Sequence, residues 1–271
     1  MRMQSVAAAL AASLTLASVA AAQAPNHLSP AEQKAGWTLL FNGTSLDGWH
    51  GYKTADASGT RWVAKDGLLC LAPGDSTDTR GARDIVAAKP YGQFELAWDW
   101  RVSVGGNSGL KYFVLEDRES AIGHEYQLID DAKHPDAKIG PHRQTAALYD
   151  VLPAANRPSK PAGEWNTSRV VVRGTEVEHW LNGTKVLSYT LDSPALRAAI
   201  AKSKFKDVER FGKPQQGLIL LQDHGDAVCY RNVKVRALTV SRSAAPPHDA
   251  ARSPSPAATL TRRPDWVASG Q

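Results

Sequence analysis

The chain of 271 residues carries 32 Lys and Arg against 27 Asp and Glu, a formal charge of +5, and 42% of it is apolar. Arg2 holds one of those charges, and the C-terminal segment (Arg242, Arg252, Arg262 and Arg263 against Asp249 and Asp265) holds two, which leaves the body of the chain at about +2. No basic stripe remains to bind nucleic acid, and no run beyond the N-terminus is long and apolar enough to span a bilayer. At the start, Arg2, the apolar run from Val6 to Ala20, and small residues at Ala20-Ala21-Ala22 or Ala22-Gln23-Ala24 give residues 1–24 the pattern of a cleaved signal peptide. The expected location is therefore periplasmic or secreted. Residues 34–239 have the length of one large domain. Residues 240–271, rich in Pro, Ser and Ala without apolar periodicity, read as a disordered tail.

Within the domain, short alternating runs separated by turn residues predict strands. Trp37 to Phe41 ends at Asn42-Gly43, and Trp62 to Lys65 turns at Asp66-Gly67 into Leu68 to Leu71. From Phe94 to Val104 the chain alternates Phe94, Leu96, Trp98, Trp100 and Val102 with Glu95, Ala97, Asp99 and Arg101. The stretch from Asn107 to Asp131 follows as two strand-like runs joined by a polar loop, with Asn107-Ser108-Gly109 read as a turn entering the first. A meander then covers Val170 to Leu191, with a type I′ hairpin signal at Asn182-Gly183. Leu218 to Leu221 and Val228 to Val240 close the domain. One helix is predicted, with Ser193 as cap and Pro194 at its first position. Many strands, one short helix and no βα alternation predict an all-β jelly-roll sandwich of two antiparallel sheets. The long segment from Ala132 to Gly163, with Pro135, Pro141, Pro153, Pro158 and Pro161, is a loop of the length that usually carries function. Cys70 and Cys229 are either a disulfide or two buried thiols.

The stretch from Asn107 to Asp131 concentrates chemistry. It holds Asn107, Lys111, Glu125, Gln127, Asp130 and Asp131, and strand alternation puts Glu125 and Gln127 on one face. Lys111 shares its face with Gly109 and Phe113. The loop that follows supplies His134 and His142. Gln222 and His224, in Gln222-Asp223-His224-Gly225, share a face of a later strand end.

These residues carry a resemblance. LFNGTSLDGW (Leu40 to Trp49), WVAKDGLL (Trp62 to Leu69), NSGLKY (Asn107 to Tyr112), GHEYQLIDD (Gly123 to Asp131), ALYD (Ala147 to Asp150), GEWN (Gly163 to Asn166), HWLNG (His179 to Gly183), LQDHG (Leu221 to Gly225) and YRNVKVR (Tyr230 to Arg236) occur in order. The chain from Gly36 to Leu238 resembles the 3-keto-disaccharide hydrolase domain family. The resemblance implies a concanavalin A-like jelly roll, an exported bacterial protein, and cleavage of glycosides whose glucose unit carries a ketone at C3. Related members resemble lyases that eliminate across C1 and C2. It also implies a partner sugar 3-dehydrogenase, because 3-keto sugars arise by oxidation.

A ketone at C3 acidifies the hydrogen on C2. A base can then form an enediolate, the C1 oxygen leaves, and later hydration makes the net result a hydrolysis. Such a route needs a base at C2, a positive or hydrogen-bonding group at the C3 oxygen, and a proton donor for the leaving group. The expected catalytic residues are Glu125, His224 and Asp130. The expected sugar-binding residues are Asn107, Lys111, Gln127, Trp165, Gln222 and His142. Glu125 is a base, a metal ligand or a partnered sheet carboxylate; Lys111 polarises the ketone or is an exposed sheet lysine; Trp165 is a sugar platform or core. Of Asp130 and Asp131, one is functional and the other forms a turn. A divalent metal would draw on Glu125, Asp130, His134 and His142. Two other functions compete: a retaining glucanase, which needs two carboxylates about 5 Å apart where this chain has Gln127 in the middle of Glu-x-Gln-x-x-Asp, and a non-catalytic carbohydrate-binding module.

Overall fold

A computed structural model of the protein describes residues 24–71 and 83–239. The expected leader, apart from Ala24, and the expected tail lie outside the described residues. Among the described residues, thirteen strands form two antiparallel sheets, as the alternation predicts. In chain order they are β1 (Thr38–Leu39), β2 (Trp49–Gly51), β3 (Trp62–Lys65), β4 (Leu68–Leu71), β5 (Ile85–Ala87), β6 (Phe94–Val102), β7 (Asn107–Val114), β8 (His124–Ile129), β9 (Asn166–Arg173), β10 (Glu176–Leu181), β11 (Thr184–Thr190), β12 (Leu218–Leu221) and β13 (Val228–Ala237). One sheet has the order β11-β10-β9-β6-β13-β4-β3, with β1 also beside β13, and the other has the order β2-β5-β12-β7-β8. The jelly-roll expectation holds. No helix among the described residues is long and apolar enough to cross a membrane.

The period-2 pattern of β6 explains the core directly. Phe94, Leu96, Trp98, Trp100 and Val102 all turn inward and are buried, where they meet Tyr112, Tyr126 and Leu128 of the facing sheet. The outward Glu95 is held by Arg169 and Arg236. At the β10–β11 turn Asn182 and Gly183 both take positive φ, 47° and 82°, as a type I′ hairpin requires. The predicted helix is present as α2 (Pro194–Ile200), and Ser193 accepts from the Leu196 amide. A helix the alternation did not announce, α1 (Pro30–Lys34), starts with a capping box between Ser29 and Glu32. Cys70 and Cys229 sit directly opposite each other on β4 and β13 and form a disulfide. It closes 159 residues of sequence, a loop for which cross-linking removes on the order of 3–5 kcal/mol of unfolded-chain entropy.

One detail departs from strict alternation. Phe113 has φ +60° and lies in the core with Tyr112, so it does not share a face with Lys111. The β7–β12 register shifts at this point, between Leu218 and Leu220, and Gly217 passes so close that a Cβ on it would lie 2.4 Å from the Phe113 backbone. The irregularity turns Val114 outward, where it packs with Val86 and Leu220.

Behind the β8 face, four buried side chains join the two sheets. The Gly212 amide donates to His124 Nε2 (3.1 Å), so Nδ1 carries the proton and donates to Tyr189 Oη (2.7 Å). At the other end His179 Nδ1 donates to the Ala146 carbonyl (2.9 Å), so its Nε2 accepts from Tyr112 Oη (2.7 Å). The Tyr189 hydroxyl completes the chain by donating to Tyr112 Oη at 2.6 Å. Every proton has one place, and a further one on either imidazole would meet a donor or break a bond. Burial first, then the charge that His179 would carry once protonated and that of Arg118, holds His124 down at about 3. Burial also holds His179 at about 4, against the opposing pull of the Ala146 carbonyl. In the unfolded chain both return to about 6.5. Their contribution to stability is therefore complete above that value and is lost as pH falls from there toward the folded values. Between pH 7 and 5 the loss is on the order of 2 kcal/mol for each ring. Urea melts at the two pH values should show a large drop in midpoint; equal midpoints would mean that the rings are not held neutral in the fold.

Candidate active site

β7 and β8 are buried on both sides. Their inner residues Leu110, Tyr112, Tyr126 and Leu128 join the core. Their outer face carries Asn107, Gly109, Lys111, Glu125 and Gln127 beneath the loops that follow. The register puts Lys111 opposite Glu125 and Gly109 opposite Gln127. A cleft of about 330 Å³ opens over this face, lined among others by Asp84, Lys111, Glu125, Lys204, Phe205 and Gln222. That volume suits a sugar-sized ligand.

Glu125 sits at its base, 5% exposed. Its carboxylate lies over Gly109, where a Cβ would stand 2.4 Å from Oε1; only glycine leaves room for it. Burial pushes the Glu125 carboxyl above the ordinary carboxylate range, and the nearby Lys111 and Lys204 offset part of that rise. With its nitrogen turned toward Glu125, the Gln127 amide donates to Oε1 at 3.0 Å and to the Ser108 carbonyl at 3.2 Å. In that orientation the Gln127 oxygen faces the Asn107 amide at 3.1 Å, so Asn107 turns its nitrogen to Gln127 and its oxygen toward His224 Nε2, 3.4 Å away. A polar chain thus runs from Glu125 through Gln127 and Asn107 to His224. Gln222 Oε1, buried and without a hydrogen-bond partner among the described residues, belongs to a residue lining the cleft. A buried orphan acceptor beside a cavity is a natural partner for a sugar hydroxyl.

His224 is held by its neighbours. The buried Asp223 carboxylate pairs with Arg61 and accepts from the Arg83 amide (3.0 Å), while the Asp223 amide donates to Asp84 Oδ1 (2.8 Å). That clamp leaves the His224 ring half-exposed, with Nδ1 3.4 Å from Asp226 Oδ2. The Asp226 carboxylate also accepts from the Asn107 amide. His134 approaches from the loop, its ring centre 5.6 Å from that of His224.

Several expected residues stand elsewhere. The Asp130 carboxylate accepts from the amides of Gly105, Ala132 and Lys133. Burial raises its carboxyl, but those three bonds outweigh it and hold it below the ordinary range. In this position the carboxylate clamps its own loop. Asp131 is likewise committed, to the Thr145 amide and Arg157. Trp165 stacks with Arg101 (4.9 Å) and Arg231 (4.2 Å) on the outer side of the other sheet and is no sugar platform in this cleft. His142 lies 3.7 Å from Asp150. The four proposed metal ligands therefore do not converge. Among the described residues, the group whose donor atoms all come within 4.8 Å of one another is His134, His224 and Asp226. Two imidazoles and a carboxylate form a donor set suited to several divalent metals.

Other participants were invisible in the sequence. Asp84 lies 3.5 Å from Lys111 Nζ, which also donates to the Ala121 carbonyl at 3.1 Å. Burial raises the Asp84 carboxyl, against the pull of Lys111. Tyr149 donates its amide to the Glu125 carbonyl (3.0 Å), and Lys204 Nζ lies 4.2 Å from the centre of its ring. Burial lowers the Lys204 ammonium, and Glu125 and Asp150 oppose that shift. Lys204 belongs to Lys202-Ser203-Lys204-Phe205-Lys206, which reads as a solvated charge run; the one signal was its apolar neighbour Phe205.

The chain is similar to known proteins over most of its length. A family model described as 3-keto-alpha-glucoside-1,2-lyase-like domain matches residues 36–236. A relative from Bacteroides thetaiotaomicron named 3-keto-disaccharide hydrolase is 34% identical over 230 residues, covering 75% of this chain and 79% of that protein. A crystal structure from Parabacteroides distasonis, provisionally assigned as a glycosyl hydrolase, is 34% identical with a TM-score of 0.71 and covers 80% of this chain and 100% of that one. A second from the same organism, with the same provisional assignment, is 26% identical with a TM-score of 0.57 and covers 74% of this chain and 99% of that one.

Proposed function

The chain belongs to the 3-keto-alpha-glucoside-1,2-lyase-like domain family, and from that membership and the cleft we propose that it cleaves 3-keto-glycosides by removing the C2 proton and eliminating the C1 oxygen, with later hydration. The observation that carries this reading is Glu125: one carboxylate, buried, raised, and backed by glycine at the floor of a sugar-sized cleft. A raised carboxylate is a stronger base than an ordinary one, as proton removal from carbon demands. The C2 proton passes to Glu125, and the bonding pair forms the C2–C3 double bond as charge moves to the C3 oxygen. That charge then returns and expels the C1 oxygen. His224, at the far end of the Gln127–Asn107 chain and half-exposed, suits protonation of the departing oxygen. Gln222 and Asn107 bind hydroxyls. A divalent ion held by His134, His224 and Asp226 would replace the proton transfer from His224 with Lewis acidity toward the departing oxygen, because a metal-bound imidazole cannot also be the acid.

The two-carboxylate alternative has little to work with. The other acid in the cleft, Asp84, is engaged by Lys111 and by the Asp223 amide. Export to an oxidising compartment is part of the proposal, supported by the leader-like sequence and the Cys70–Cys229 disulfide. Its substrate would come from a dehydrogenase that oxidises C3 of a sugar. The test is turnover of one disaccharide with and without the C3 ketone. We expect release only from the keto form; release from the plain sugar alone would establish ordinary hydrolysis, and binding without release would establish a carbohydrate-binding module.

A further inference from the structure

We infer that Lys204 is the cation that meets the C3 oxygen and holds the negative charge developing there, in place of Lys111; the inference rests on the reading above. The backbone of Lys204 is fixed. Its amide donates to Asp150 Oδ2 at 2.8 Å, and the other oxygen of that carboxylate accepts from Arg143 Nε at 2.7 Å. The next residue, Phe205, stacks on Phe211 with ring centres 4.5 Å apart and planes 10° apart. Phe211 in turn lies 4.7 Å from the His124 ring, whose Nε2 accepts from Gly212. The loop is thereby fastened to the buried chain of histidines and tyrosines directly behind Glu125.

The ammonium, by contrast, is uncommitted. Lys204 makes no ion pair among the described residues, and the partners of its Nζ are ring faces, Tyr149 at 4.2 Å and Phe205 at 5.1 Å. An ammonium resting on aromatic faces keeps its hydrogen-bond donors for an incoming oxygen. Lys111 already directs two of its three donors to Ala121 and Asp84.

The order of atoms in the substrate fits the two sides of the cleft. C2 lies between C1 and C3, so a base beneath C2 must be flanked by a proton donor for C1 and a cation for C3. His224 is reached from Glu125 through Gln127 and Asn107. Lys204 comes from the other side, over Tyr149, whose amide binds the Glu125 carbonyl. No covalent bond to the lysine is needed: the C2–H pair becomes the C2–C3 double bond, the carbonyl pair moves to oxygen, and the charge stays opposite Nζ until it expels the C1 oxygen.

The test is steady-state turnover of a 3-keto-glucosyl disaccharide by the full chain and its Lys204→Ala and Lys204→Arg variants, with thermal melts of each. Lys204→Ala should lose about 10²–10³-fold in kcat, with KM and Tm little changed. Lys204→Arg should retain more activity than Lys204→Ala, and added methylammonium should restore part of the loss in Lys204→Ala. A soluble amine replaces a missing charge but does not repair a loosened loop. Turnover of Lys204→Ala within about threefold of wild type would overturn the assignment. So would a sugar mass fixed on Lys204 by borohydride, which would mean an iminium instead of an ion contact. Failure of the wild type to turn over the ketone would remove both this assignment and the reading it rests on.

Discussion

Glu125→Gln should abolish turnover of a 3-keto-glycoside while leaving the protein as stable as the wild type or more so at neutral pH. The change removes the only acid on the β8 face of the cleft and keeps its shape and its hydrogen bonding to Gln127. A positioned base contributes about 10²–10⁴-fold, and here no second carboxylate is free to take over. The stability half follows from burial. The Glu125 carboxyl is raised in the fold, so the folded state favours the protonated form relative to the unfolded chain. Any stability from that preference is present below the unfolded value of about 4.3 and is lost as pH rises through the folded one. At pH 7 the buried charge is therefore a cost, which glutamine removes. For the same reason, activity should rise with pH through a value above the ordinary carboxylate range. Kinetics and melts at pH 4 and 7 read both halves. Wild-type turnover would show that the base lies elsewhere, and a marked loss of stability at pH 7 would make Glu125 a structural partner of Lys111.

Gly109→Ala tests the same carboxylate through the floor beneath it. The new methyl would lie 2.4 Å from Glu125 Oε1 and 2.8 Å from its Cγ and Cδ. The backbone at Gly109 is hydrogen-bonded to the Gln222 amide and paired with β8, so the side chain is what must move. Displacing a catalytic group by about 1 Å costs on the order of 10²-fold, and overpacking a buried site costs about 1–3 kcal/mol. We expect kcat to fall by about that factor with a modest drop in melting temperature. Unchanged kcat would mean that the position of the carboxylate over Gly109 is not the working one.

Legibility followed physical cause. The alternation of β6, the Asn182-Gly183 hairpin and the Ser193 cap were readable because each is a local rule that the fold obeys. The β7–β8 face was readable because polar residues of one kind recur there at strand spacing. Phe113 was misread because a close approach by Gly217, distant in sequence, sets its backbone. The loop bonds of Asp130 were not legible, because a carboxylate at a strand end serves loop amides and substrates equally well on paper. Trp165 looked like a platform until Arg101 and Arg231 proved to flank it on the far sheet. The strands β2 and β5, three residues each, are too short to show a period. Asp226, Asp84 and Lys204 reach the site through long-range packing, which no local pattern records. The cysteines were ambiguous for the same reason, since only the β4–β13 register brings them together.

The central claim is that a proton leaves C2 during bond cleavage. Turnover of a 3-keto-glucosyl disaccharide in D2O, followed by NMR at early times before the free ketone exchanges unaided, measures this directly. We expect deuterium at C2 of the released sugar, with Glu125→Gln releasing none. Release of sugar that retains its original C2 hydrogen would contradict it.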